Sequence, residues 1–179
     1  MIDIPIKYWI KLKSWNEVKK YNFGKRGYAD GNQEEQYTGI LGQNVICDYY
    51  DQPMASGKDG FDGGVDLCLK GKRIDVKTMG RKGPVRTGYT NNFLAAQDGY
   101  NTDIYLFCSI NKTDSILTIC GWVTQEQFKN RRVFHKQGSI RIRRDGTAIK
   151  VKSDLYEIDN DMLNPILPPS SLFLKILPN

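Results

Sequence analysis

The stretch Gly63-Gly64-Val65-Asp66-Leu67-Cys68-Leu69-Lys70-Gly71-Lys72-Arg73-Ile74-Asp75-Val76-Lys77-Thr78 decides the fold that the sequence predicts. Apolar and polar residues alternate in it twice, on either side of a glycine, and this period of two indicates two half-buried strands. Gly71-Lys72 suits a two-residue hairpin turn with glycine first. In that register Asp66 lies opposite Lys77 and Cys68 opposite Asp75, all on one face of the hairpin. The hairpin therefore brings together two carboxylates and one ammonium group, which suit a hard metal ion and an anionic substrate.

The charge of the chain points in the same direction. It has 179 residues, a formal net charge of +6 and a pI of about 9.1. The length favours one domain, and the positive charge favours an acidic partner such as nucleic acid. Seven Lys or Arg residues and one acid lie between 70 and 86, and nine and one lie between 129 and 152. The candidate nucleic-acid-binding residues are Arg81, Lys82, Arg86, Arg141, Arg143 and Arg144; a merely solvated basic surface is the alternative.

Several classes of protein do not fit the composition. No apolar run approaches the roughly 18 residues that a membrane span requires, and the first residues lack the order of a secretory signal. We therefore expect no membrane partner and a cytoplasmic location. The four cysteines form no C-x-x-C pair and there is one histidine, so we expect free thiols, mostly buried, and no structural zinc.

A helix is predicted for residues 33–50, because apolar residues recur there at helical spacing. Gly39 and Gly42 lie three apart within it and would let another element approach the backbone closely. A short helix with Ser14 as its cap is predicted for residues 14–21. A short helix or a turn is predicted for residues 91–99.

The second half of the chain reads as strands with one more helix. An apolar strand is predicted from Asp103 to Ile110, and a second from Ser115 to Trp122. Thr124 and Gln127 have the spacing of a capping box, which opens a short helix. Residues 139–143 and 148–152 predict a basic hairpin, with one aliphatic face and one arginine and lysine face.

These features together resemble the PD-(D/E)xK nuclease superfamily. Asp66 followed by Asp75-Val76-Lys77 is similar to its acid and D-x-K motif, with Val65 in place of the proline. The G-x-x-G-Q run at 39–43 resembles the family's first helix, where an acid after the second glycine often completes the metal site; here Gln43 stands at that position. The order of helix, hairpin, strand and strand is also similar, so the resemblance covers about residues 35–130.

The resemblance implies an α/β fold with a mixed central β-sheet flanked by helices, that is, a restriction-endonuclease-like core with an added basic C-terminal hairpin. We expect a single nuclease-like domain over 1–179, with its core at about 33–130 and the basic hairpin and tail at 131–179. It further implies a magnesium- or manganese-dependent DNA endonuclease, expected as a homodimer. A catalytically inactive DNA-binding module of the same fold is the alternative.

The resemblance also implies the role of each site residue. Asp66 and Asp75 would bind the metal ion, with the Val76 carbonyl as a further oxygen ligand. Lys77 would orient the attacking water or stabilise the transition state. Gln43 or Glu35 would support the metal or its water from the helix.

Overall fold

The computed structural model describes residues 1–23, 31–56, 58, 63–113, 115–143 and 146–166. These residues form a mixed α/β fold with three α-helices and ten strands. Among them, no helix is both long and apolar enough to cross a membrane.

The bounds of the elements are as follows. The helices are α1 (Tyr8–Lys20), α2 (Gln33–Tyr49) and α3 (Gln125–Arg131). The strands are β1 (Ile2–Pro5), β2 (Leu67–Leu69), β3 (Lys72–Arg81), β4 (Thr90–Leu94), β5 (Ile104–Asn111), β6 (Ile116–Thr124), β7 (Val133–His135), β8 (Ile140–Ile142), β9 (Ala148–Lys150) and β10 (Leu155–Asp159).

The main sheet has five strands in the order β1-β6-β5-β3-β2. β3 and β5 pair in parallel and every other pair in this sheet is antiparallel. The predicted α/β class and mixed sheet are therefore confirmed. β1 joins the sheet from the first residues of the chain, through its pairing with β6.

The two faces of the main sheet carry different cores. Alternate residues of a strand point to opposite faces. On β5 the residues at 104, 106, 108 and 110 belong to an aliphatic cluster with α1 and α2, which we call the helix-side cluster. Tyr105 and Phe107 belong instead to an aromatic cluster with Phe93 of β4 and Phe128 of α3. The aromatic cluster thus lies on the face of the sheet opposite to α2.

A second sheet, of order β4-β10-β7, supplies part of the aromatic cluster. The prediction of a helix or a turn for 91–99 is wrong for its first half. Residues 90–94 form β4, which pairs with β10 more than 60 residues later, and only Ala95–Gln97 form a short 3-10 turn. A pairing between strands so far apart in the chain leaves no signal in local periodicity.

The helix ends agree with the sequence for α2 and α3 but not for α1. Asn32 and Glu35 form a capping box at the start of α2. Thr124 and Gln127 form the predicted box at the start of α3. The predicted cap of α1 is wrong: that helix begins at Tyr8, and Ser14 is buried inside it, where its Oγ accepts a hydrogen bond from Asn44 Nδ2 at 2.9 Å.

β8 and β9 form a separate antiparallel pair, in which Arg141 lies opposite Ile149. Ile140 and Ile142 are 62% and 67% exposed and share their solvent-facing side with Lys150, so the predicted division into an aliphatic face and a basic face is wrong. The opposite face, which carries Arg141, turns towards the body of the protein, because Arg141 donates a hydrogen bond to Glu157 of β10.

Candidate active site and basic cleft

The β2–β3 hairpin turns one residue earlier than the sequence predicts. Lys70 and Gly71 both have positive φ, at 46° and 75°, which is the pattern of a type I′ turn. Cys68 consequently pairs with Arg73 and Leu67 with Ile74. The predicted pairings of Cys68 with Asp75 and of Asp66 with Lys77 are therefore wrong by two residues of β3. An even shift leaves each side chain of a strand on its predicted face.

Asp66 lies just before β2 and binds the backbone of β3. Its N–H donates to the Ile74 carbonyl at 2.9 Å, and its Oδ2 accepts from the Val76 N–H at 2.6 Å. Since polar groups of alternate residues in a strand point to the same side, the Val76 carbonyl also points towards the Asp66 side of β3. Asp66 and the Val76 carbonyl thus lie on the same edge of β3, where β2 begins.

Gln43 of α2 reaches the same place. Its side chain is 6% exposed, and Nε2 donates to the Asp66 carbonyl oxygen at 3.2 Å. Glu35 lies eight residues earlier on α2, about 12 Å along the helix axis. Its carboxylate accepts from the Asn32 N–H at 2.8 Å and completes the capping box. Of the two helix residues proposed for the site, Gln43 therefore contacts Asp66 and Glu35 caps the helix.

Asp75 and Lys77 form an ion pair on β3. Lys77 Nζ lies 2.7 Å from Asp75 Oδ2, and the Asp75 residue is only 2% exposed. The same ammonium group lies 5.0 Å from the centroid of the Phe93 ring. The pair is consequently set against the aromatic cluster, where low solvent exposure strengthens the interaction between the two charges.

The carboxylates of Asp66 and Asp75 shift the pKa of different neighbouring groups. Burial, followed by the charge of Asp66, raises the pKa of the Cys47 thiol to about 12. Burial is also the main cause of the raised pKa of the Tyr105 hydroxyl, and Asp75 adds to it. Cys47 belongs to the helix-side cluster and Tyr105 to the aromatic cluster. Asp75 thus contacts Lys77, whereas Asp66 contacts Gln43 and Val76.

Asp66, Gln43 and Val76 offer oxygen atoms where β2 begins, and Asp75 offers a carboxylate beside Lys77. Oxygen ligands are those that magnesium and manganese prefer. Within the described part of the chain, no three Asp, Glu, His or Cys side chains form a group that could hold a metal ion. Magnesium sites often use one or two carboxylates and leave other positions to water and substrate phosphate, so two acids fit that chemistry.

Four of the six predicted nucleic-acid-binding residues line one cleft of about 430 Å³. We call this the basic cleft; the four are Arg81, Lys82, Arg141 and Arg143, and Met79, Gly83, Gly88, Tyr89, Thr90 and Asn92 complete its described lining. Arg86 is not among these residues; it lies in the loop before β4, where its carbonyl accepts a hydrogen bond from Asn160 Nδ2. Arg144 lies outside the described residues.

Sequence reasoning missed three residues that organise these sites. Phe93 lies against Lys77, Tyr89 lies against Arg81 at 4.9 Å from its centroid, and Glu157 binds Arg141. Each contact joins two different elements or loops of the fold. The alternation Tyr156-Glu157-Ile158, with an acid between apolar residues, was the one local signal that a strand carried Glu157.

Comparisons of the chain with protein-family models, with curated proteins and with solved structures give no match.

Proposed function

We propose that the protein is a metal-dependent DNA endonuclease of the PD-(D/E)xK type, which hydrolyses phosphodiester bonds. Its restriction-endonuclease-like core would comprise α2, the β2–β3 hairpin, β5 and β6, with β8 and β9 as an added basic hairpin. The observation that carries the proposal is the buried Asp75–Lys77 ion pair at 2.7 Å, on the strand whose Val76 N–H binds Asp66. An acid and a lysine two residues apart on one strand face are the central elements of the resemblance.

Asp66, Asp75 and the Val76 carbonyl would hold Mg²⁺ or Mn²⁺. When bound, the ion lowers the pKa of a coordinated water and offsets the charge that develops on the phosphate. Gln43 supports this arrangement by fixing the Asp66 backbone through its 3.2 Å hydrogen bond. Glu35 is the weaker choice for that role, because its carboxylate is engaged at the start of α2.

Lys77 would act on the water or on the transition state. Its ammonium group is held between the Asp75 carboxylate and the Phe93 ring, so few of its rotamers remain accessible. A cation fixed in this way needs little reorganisation to donate towards an attacking water or a charged phosphoryl oxygen. The positively charged residues of the basic cleft would bind the DNA backbone and make its affinity dependent on salt.

The second candidate is a DNA-binding module of the same fold without catalysis. Gln43 favours it, because a neutral amide stands where the family often has an acid. The separate contacts of Asp66 and Asp75 favour it as well. A homodimer and a cytoplasmic location also stay predictions; light scattering of the purified protein would test the dimer.

The experiment that separates these candidates is cleavage of supercoiled plasmid and branched DNA with Mg²⁺ or Mn²⁺. The variants Asp75→Asn and Lys77→Met keep the approximate shape of each side chain while removing its charge. We expect each to lower the cleavage rate at least about a hundredfold, the scale of losing one transition-state contact. DNA binding measured in EDTA should stay within about twofold of the wild type.

Two controls make the result interpretable. Asp103→Asn removes a carboxylate that pairs with Arg73 outside the candidate site, and it should leave cleavage unchanged. Because losing one partner of a buried pair often costs about 3 to 5 kcal/mol, the thermal midpoint of each variant must be measured too. Folded variants that cleave as fast as the wild type would refute the assignment of Asp75 and Lys77. A wild type that binds DNA but never cleaves it would favour the second candidate.

A further inference from the structure

The basic cleft gathers four cationic side chains from two distant parts of the chain. Arg81 and Lys82 lie at the end of β3, whereas Arg141 and Arg143 lie on or beside β8. None of the described residues that line the cleft is acidic. Like charges repel one another at this range, so an anion bound between the four cations would offset their mutual repulsion.

Arg81 is held in a fixed position at the floor of the cleft. Its Nη2 donates to the Thr90 carbonyl at 2.8 Å, and its Nε donates to Ser109 Oγ at 3.1 Å. Its guanidinium group lies 4.9 Å from the centroid of the Tyr89 ring. Arg143 lines the same cleft; burial lowers the pKa of Arg81, and the charge of Arg143 lowers it further.

Arg141 is fixed from the other side. Its Nε donates to Glu157 Oε2, and this carboxylate, on a residue that is 6% exposed, also lies 3.1 Å from His135 Nε2. The buried Glu157 thereby ties β8 to β10 and aims the arginine into the cleft. A guanidinium group with its Nε held by a carboxylate presents its remaining N–H groups in the planar fork that suits phosphate oxygens.

The cleft lies on the same face of β3 as the Asp75–Lys77 pair. Residues 75, 77, 79 and 81 alternate with residues that face α2, so their side chains share one face. At about 3.3 Å per residue, Arg81 lies about 13 Å from Lys77 and about 20 Å from Asp75 along the strand. In a B-form duplex, one strand advances about 3.4 Å per nucleotide, so these distances correspond to about four to six nucleotides.

We propose that the basic cleft binds a backbone phosphate of duplex DNA about four to six nucleotides from the phosphate that is cut. The position relative to the cut rests on the proposed function, whereas phosphate binding by the cleft does not. The cleft then sets how far the substrate must extend on one side of the cleavage position.

The first test measures binding without cleavage, in EDTA. The double variant Lys82→Ala/Arg143→Ala removes the two exposed cations of the cleft and spares the hydrogen bonds of Arg81 and Arg141. A matched control, Lys19→Ala/Lys20→Ala, removes two cations from the end of α1. Fluorescence anisotropy with a 30-base-pair duplex at several salt concentrations gives the Kd and its salt dependence.

We expect the cleft variant to raise the Kd about tenfold or more and to reduce the slope of log Kd against log salt by up to about two. The control should change the Kd less than about twofold. Equal losses in both double variants, or no loss in the cleft variant, would overturn the proposal. Competition with inorganic phosphate at constant ionic strength separates the sources: displacement of the duplex by micromolar phosphate would mean that the cleft serves a free anion.

The second test locates the bound phosphate. Ethylation interference identifies the phosphates whose neutralisation weakens binding, and the cut is mapped on the same duplex. In the wild type we expect interference about four to six nucleotides from the cut on one side, and its loss in the cleft variant. Interference confined to phosphates beside the cut would contradict the proposed position. If no DNA is cleaved, the proposed function fails while the binding result still decides whether the cleft holds phosphate.

Discussion

Gly42 of α2 is the position at which a single added methyl group should do the most damage near the candidate site. A Cβ built on Gly42 would lie 1.9 Å from Thr78 Oγ1, 2.6 Å from its Cβ and 2.7 Å from its Cγ2. These distances are about 1 Å too short for atoms in contact, so α2 or β3 would have to move. Gly39, three residues earlier on the same helix, has nothing within 4 Å of the added Cβ.

The magnitudes follow from two opposing effects. Alanine favours a helix by about 1 kcal/mol over glycine, and overpacking of a closely packed contact costs about 1 to 3 kcal/mol or more. We expect Gly39→Ala to raise the free energy of unfolding by about 0.5 to 1 kcal/mol. We expect Gly42→Ala to lower it by about 2 kcal/mol, which corresponds to a fall in Tm of about 4 to 8 °C for a chain of this size.

Urea unfolding followed by circular dichroism, together with thermal melts, would measure both variants. Thr78→Ala removes two of the three clashing atoms, so the double variant Gly42→Ala/Thr78→Ala should recover part of the loss, with a coupling of about 1 kcal/mol. The close approach of α2 to β3 would be refuted if Gly42→Ala were as stable as Gly39→Ala. It would also be refuted if the Gly42→Ala and Thr78→Ala effects were simply additive.

Two more predictions concern titration and reactivity. Hydrogen bonds from Arg73 lower the pKa of Asp103 to about 2, so this interaction stabilises the fold above about pH 4 and is lost as the pH falls towards 2. In urea unfolding between pH 2 and 5, the free energy of unfolding should therefore decline less steeply for Asp103→Asn than for the wild type. Equal declines of the two proteins would contradict the prediction. Burial raises the pKa of three thiols, to about 12 for two of them, so iodoacetamide at pH 8 should label only the exposed thiol of Cys68 in the native protein. Comparable native labelling of Cys47, Cys108 or Cys120, measured by peptide mass spectrometry, would contradict this prediction.

The elements that sequence reasoning predicts well are those with a local signal. α2, β5, β6 and the cap of α3 follow from periodicity and from side chains that satisfy their own helix ends. The faces on which the β2 and β3 side chains lie were predicted correctly, although the position of the turn between these strands was not. Placing Lys70 at φ 46° is unfavourable for a non-glycine residue, so local preference alone favours the other turn. Strands β1, β4, β7 and β10 pair over long distances and leave little local trace.

Some contacts of the candidate site are likewise predictable from local sequence and others are not. Asp75 and Lys77 are two residues apart on one strand, so their contact is predictable from the period of a strand. The Asp66 contacts depend on a side chain that binds the Val76 N–H outside the β2–β3 ladder, and no pattern predicts that. The four cations of the basic cleft were identified from composition. Their meeting required β8 to dock on β10 through Glu157, a contact between residues 16 apart in the chain.

The main sheet stops abruptly at both of its sides. On one side lies β2, which has three residues, and on the other lies β1, whose four residues include Pro5, and proline has no backbone N–H to donate. A strand added beside β1 or β2 would therefore gain only a short run of main-chain hydrogen bonds from either of them. Growth of the main sheet by pairing of two copies along β1 or β2 is therefore disfavoured.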